Sequence, residues 1–405
     1  MIDDIAHEYL LIGLSLGELQ DGVVDAYFGP PEVKQQAVAE KARAADLAQR
    51  SVALRARLDE VADAQRARWL DRQLIATETI ARQLDGEDFD YEDLVRRCFD
   101  ASAAQTPRET YARVRNELDR LLPGSGDLRE RLEAHEKTLT VPVNELRPIV
   151  DWVTSQLRRA AADTFTLPDG EDLSISLVTN EPWGAYNWYD GNLHSRIEVN
   201  TDLPVRAPGL MSLLAHEAYP GHHLEHTSKE QRLVREQSRY ESSVQLINTP
   251  EAYISEGLAE TGVRFTADEP RWKQMLHGIC EQAGIPMGSD EIERNWQIRA
   301  ALHHLRGIQG DAALQLHVEG RSEDDVVAFL EENAFATPER AHKMVEFVTH
   351  PLWRAYVFCY AGGEELTTRW VEQAGDRQGQ IERFSRLLSE QLTPSGIAQE
   401  MAPKS

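Results

Sequence analysis

The chain has 405 residues, enough for a sizeable buried core in one large domain or two to three smaller ones. Its 43 Lys and Arg against 68 Asp and Glu give a net charge of −25, which argues against nucleic-acid binding. No apolar run approaches the ~20 residues of a membrane span, and Met1-Ile2-Asp3-Asp4 lacks the basic start of a signal peptide, so a cytoplasmic location is expected. Cys98, Cys280 and Cys359 are isolated, odd in number and without C-x-x-C spacing, which speaks against a disulfide framework or a cysteine metal site.

The N-terminal part reads as helix. From Glu32 to Glu87 the only Gly or Pro is Gly86, and Ala, Arg, Leu, Gln and Glu dominate. Leu47, Leu54, Leu58 and Val61 fall on one helical face. Pro107, the Pro123-Gly124-Ser125-Gly126 cluster and Pro142 punctuate further helices. The pattern then changes, because residues 173–177 and 196–200 alternate with period two, as half-buried strands do. Between them lies a turn-rich aromatic segment, 182–192, whose rings fill a core or line a site. A small sheet here would let an extended peptide add to an exposed edge by main-chain hydrogen bonds.

His216-Glu217-Ala218-Tyr219-Pro220-Gly221-His222-His223 holds the chemistry. In an H-E-x-x-H motif, histidines at i and i+4 share a helix face and hold one Zn²⁺, while the Glu draws a proton from the attacking water. Here two residues are inserted, and His222 takes the second-ligand place once Pro220-Gly221 is looped out. Pro lacks the N–H that would bond the His216 carbonyl, and Gly accepts unusual dihedrals, so a bulge or kink at 219–221 is expected. Without it, His222 would lie about 600° around the helix from His216. A rival reading needs no bulge: His222-His223-Leu224-Glu225-His226 spells H-x-x-E-H, with Glu225 as base. A third, plainer reading has the histidines capping a broken helix. Downstream, Glu256 and Glu260 are helix neighbours, so one can complete the metal site while the other holds a ligating imidazole from behind.

These residues resemble an uncharacterised bacterial family marked by H-E-x-x-P-G-H-H and a following E-G-x-A segment, itself similar in fold to the carboxypeptidase Taq group of zinc peptidases. The match is literal at His216, Glu217, Pro220, Gly221, His222, His223, Glu256, Gly257 and Ala259. Residues 316–322 are similar to an L-H-x-x-G-x-S segment and 360–363 to a Y-x-x-G segment, although Ala313 replaces the acidic residue that the family carries four before its histidine. The resemblance covers about residues 180–365.

The expected molecule is a mainly α metallopeptidase-like (zincin) domain, with a small sheet beside the metal helix. It forms one domain with a helical half at 1–165, a sheet and active-site half at 166–365, and C-terminal helices at 366–405. The resemblance helps assign Zn²⁺ to His216, His222 and Glu256, with Glu260 and His223 supporting the ligands and Glu217 as the base. Tyr360, then Tyr356 and His317, are the candidates to face the oxyanion, or else simply pack. Because the carboxypeptidase likeness implies a cation for a peptide's terminal carboxylate, Arg354 is the first choice, with Arg299 and Arg306 behind it. A peptide is the expected substrate, and a homodimer stays open. Two alternatives remain: an inactive helical scaffold whose metal is absent or structural, closed by His223 or His226, or an enzyme acting on a non-peptide amide.

Overall fold

The computed structural model describes residues 2–181 and 183–402; Pro182, in the aromatic segment, lies outside them. The fold is mainly α with a small sheet, as the sequence predicts, and the described residues form five short strands: β1 (Val24–Tyr27), β2 (Asp172–Val178), β3 (Ala185–Gly191), β4 (His194–Asn200) and β5 (Val244–Leu246). Strands β2, β4 and β3 lie side by side in that order, with β2 parallel and β3 antiparallel to β4. The other pair, β1 and β5, is antiparallel.

The predicted strands are β2 and β4, and the aromatic segment read as turn-rich contains a third. Trp183, Tyr186 and Trp188 pack edge and tilted against one another, and this cross-packing suits a half-buried pleated face. The presumed helical face at Leu47, Leu54, Leu58 and Val61 also changes. Its helix stops at Arg55, a 3₁₀ turn covers Leu58–Glu60, and a new helix begins at Ala64 with Asp63 accepting from the Arg66 amide. Leu58 and Val61 still lean on the same core, from outside that helix.

Two large cores flank the functional region. The first joins Val150, Leu157, Leu214, Leu258, Trp272, Trp370 and Phe384, so residues from all three expected segments share it. The second joins Tyr9, Leu70 and Phe99 to Leu246, Tyr253, Tyr356 and Phe358. Between these cores the helix Pro250–Thr266 crosses Val357–Glu372 at close range. A Cβ on Gly257 would sit 2.4 Å from the Gly363 carbonyl carbon. The glycines of the E-G-x-A and Y-x-x-G segments thus meet, and their contact carries Tyr356 over Glu256.

Candidate metal centre

The inserted Pro-Gly does more than bulge the helix: it divides it. One helix runs Ala207–Glu217, and a second starts at His222. Pro220 has no N–H for the His216 carbonyl, which would be its partner in a continuous helix. The Gly221 amide reaches back to the Ala215 carbonyl at 3.0 Å, and Leu224 to Ala218 at 3.3 Å. Gly221 is required by proximity, since an added Cβ would lie 1.8 Å from the His216 carbonyl oxygen. The Pro220 ring packs against Gly262 of the Pro250–Thr266 helix, where a Cβ would meet Pro220 Cγ at 2.8 Å.

This break brings His216 and His222 together. Their Nε2 atoms lie 3.1 Å apart. Glu256 Oε2 is 3.4 Å from His216 Nε2, and Oε1 is 3.9 Å from His222 Nε2. One donor atom from each of the three residues lies within 4.8 Å of the others. The backs of both rings are engaged: His216 Nδ1 meets Glu260 Oε1 at 3.1 Å. His222 Nδ1 meets Ser255 Oγ at 3.2 Å, and that hydroxyl donates to Glu225 Oε2 at 2.5 Å. In the neutral rings these partners place the proton on Nδ1, which leaves both Nε2 atoms with lone pairs directed at each other. Glu256 Oε2 is buried without a hydrogen-bond partner. Three electron-pair donors converging without a proton donor are suited to a cation, so the residues fit a metal.

The carboxylates around the rings favour positive charge at this point, whether a proton or a metal ion supplies it. Burial alone would depress His216, yet Glu256 and Glu260 hold its pKa well above the ordinary value. For Glu256 burial acts upward, but His216, His222 and the Tyr356 hydroxyl, which donates to Oε1 at 2.7 Å, keep the carboxyl below its usual range. Glu217 is buried and its pKa is raised by that burial, with Glu256 and Asp25 adding to the effect and His216 and His222 opposing it. Its backbone carbonyl accepts from Asn187 Nδ2 at 2.7 Å, which ties the end of the histidine helix to β3.

The cavity in front of these groups measures about 670 Å³, and Tyr360 and Tyr356 line it together with Trp183, Tyr186, Phe347 and Trp353. Burial and the nearby carboxylates keep the Tyr360 phenol protonated, as a donor must be. Tyr356 donates its hydroxyl to Glu256, so that proton is not free for an oxyanion.

Other expectations need correcting. His223 faces away from the metal donors: Nδ1 meets Ser195 Oγ and Nε2 meets Glu171 Oε2, each at 2.8 Å. Glu171 also accepts from Tyr219 at 2.5 Å and pairs with Arg158, so His223 pins the broken helix to the sheet. His317 bonds the Val348 carbonyl at 2.7 Å and packs tilted against Tyr91, outside the cavity lining. Arg354 lies beside Tyr91, Cys98 and His317 and is likewise outside the lining. Arg299 is held over Trp272 and Trp296, and Arg306 pairs with Glu364. For the inverted H-x-x-E-H reading, Glu225 is bound by Lys229 at 2.7 Å and by Ser255, while His226 Nδ1 accepts from Gln245 at 2.6 Å. Glu225 is thus held ionised by a buried cation and is unsuited to proton transfer.

The sequence reading missed Asp25, Tyr186, Ser255 and Lys229. Asp25 arrives on β1, and Tyr186 on β3 donates to it. No spacing rule connects residues 25, 186 and 216, although the Glu225-Lys229 i,i+4 pair is legible as a helical ion pair.

No family model and no curated protein matches the sequence. Among solved structures, a protein from Colwellia psychrerythraea assigned as a lipoprotein is similar at 16% identity and TM-score 0.55, over 90% of this chain and 68% of that one. Another so assigned, of unknown function, from Shewanella oneidensis is similar at 12% identity and TM-score 0.51, over 95% and 80%. An M32 carboxypeptidase from Deinococcus radiodurans R1 aligns at 12% identity and TM-score 0.41, over 99% and 95%. The first two likenesses concern the fold. No helix among the described residues is long and apolar enough to cross a membrane.

Proposed function

We propose that this protein is a metal-dependent peptidase, with zinc held by His216, His222 and Glu256. The convergence of two imidazole lone pairs and an unpartnered carboxylate oxygen beside a buried free carboxylate, Glu217, carries the reading. A two-histidine, one-carboxylate set with an open position is a donor set typical of catalytic zinc, and neither His223 nor His226 turns toward it to close the shell.

A bound zinc ion would polarise the scissile carbonyl and acidify water. Glu217, whose pKa burial raises, takes the proton from the attacking water and delivers it to the leaving nitrogen. The Tyr360 hydroxyl donates to the oxygen on which negative charge develops. Tyr356 and Glu260 hold Glu256 and His216 in register. An extended peptide lies along β3, the edge strand whose Ala185–Asn187 stretch lines the cavity.

The test is Glu217→Gln, assayed with a mixed peptide library and by elemental analysis. Hydrolysis should vanish while one zinc per chain is retained. Zinc loss in the variant would sink the assigned role, and an inert wild type with zinc bound would point to a non-peptide amide or a structural metal.

A further inference from the structure

We infer that the cavity receives a substrate bearing a protonated amine or guanidinium group, with Asp25 as its anchor, in place of the free terminal carboxylate that a carboxypeptidase grips. The inference deepens the peptidase reading and rests on it for the identity of the cavity.

The described residues lining the cavity include six carboxylates and no lysine or arginine. Five of the six have other work. Glu225 and Glu251 share the buried Lys229 behind the site. Glu256 and Glu260 serve His216 from its two sides. Glu217 is the base. Asp25 is left: it accepts from the Tyr186 hydroxyl and has no lysine or arginine partner among the described residues. A divalent ion offsets two charges, fewer than Asp25, Glu217, Glu256 and Glu260 bear when ionised, so a free carboxylate would enter against repulsion.

A second observation points the same way. Asn187, a cavity-lining residue 9% exposed, donates its Nδ2 to the Glu217 carbonyl, and its buried Oδ1 has no partner among the described residues. A buried acceptor without a donor is costly, and a substrate N–H would satisfy it. It follows Tyr186, the partner of Asp25, on the same edge strand. The rings of Trp183, Tyr186, Phe347 and Trp353 complete the wall, and aromatic faces attract cations. A lysine or arginine side chain, or a peptide's own α-amine, has the required chemistry; a terminal carboxylate does not.

The experiment is calorimetric binding to zinc-loaded Glu217→Gln protein of one short apolar peptide in three forms: free amine with C-terminal amide, N-acetyl with C-terminal amide, and N-acetyl with free acid. The amine form should bind at least ~10-fold tighter than the neutral one, with the acid weakest. Asp25→Asn should remove that preference, so that the amine and neutral peptides bind this variant alike. If this variant loses its circular-dichroism signature, the same comparison at low and high salt in the parent decides, since the amine preference must shrink with screening. A free acid bound as tightly as the amine, a salt-insensitive preference or no measurable binding of the amine form would overturn the inference. Wild-type turnover of the amine peptide is scored separately: preference without hydrolysis removes the peptidase reading, and hydrolysis without preference removes this one.

Discussion

Gly221→Ala tests whether the helix break builds the metal centre. The added Cβ would lie 1.8 Å from the His216 carbonyl oxygen, 2.5 Å from its carbon and 2.7 Å from the Ala215 oxygen. All three are backbone atoms in the last turn of the Ala207–Glu217 helix, so no side-chain rotation relieves the clash. Restoring ordinary contact near 3.4 Å demands about 1.6 Å of displacement between Gly221 and the residue that carries the first imidazole. Metal–ligand distances tolerate only about 0.2 Å, and His216 and His222 Nε2 are already at 3.1 Å, near the ~3.3 Å edge of a tetrahedral site with ~2.05 Å bonds. The variant should bind zinc at least ~100-fold more weakly and lose about 3 kcal/mol of stability. Zinc titration of metal-stripped protein against a competing chelator measures the first, and urea unfolding the second. Gly209→Ala, in the first turn of the same helix with nothing within 4 Å of its Cβ, should leave both nearly unchanged. A folded Gly221→Ala protein with wild-type zinc affinity would refute the account.

Tyr356→Phe removes the one hydrogen bond that the described residues make to Glu256 Oε1 and should weaken zinc by ~10- to 100-fold without unfolding the chain, as read by chelator competition and circular dichroism. Gly257→Ala drives a methyl into the Gly363 backbone at 2.4 Å, so the two helices must separate; a cost of about 3 kcal/mol is expected in urea unfolding, and a silent substitution would show that the crossing is looser than described. Stability should also report His226, whose pKa burial pushes down from 6.5 to about 3, with His222 and Lys229 adding to the effect and Glu225 opposing it. The unfolded chain takes up a proton near pH 6.5 that the folded chain refuses until about 3, so this stability is lost as pH falls through that window. Between pH 6.5 and 5, metal-stripped wild type should therefore lose about 2 kcal/mol more than His226→Gln. Parallel pH profiles of the two proteins would contradict the assignment.

The sequence by itself determined the local events. Pro220 and Gly221 dictate that a helix cannot pass through them, because one lacks the amide and the other tolerates an approach that any Cβ would block. Helical character, the strands at 173–177 and 196–200, and the pairing of His216 with His222 were legible for the same reason, since each depends on spacing along one or two neighbouring elements, whereas choosing Glu256 over Glu260 drew on the family resemblance. Tertiary structure decided everything that depends on which face meets which. His223 adjoins His222 in sequence, yet it turns to Glu171 and Ser195 because successive helix positions point about 100° apart. Arg354 shares a segment with Tyr356 but lies outside the cavity lining, where its backbone carbonyl accepts from the Tyr91 hydroxyl. Asp25 enters the cavity because β1 pairs with β5, a contact spanning more than two hundred residues that neither strand's own pattern specifies.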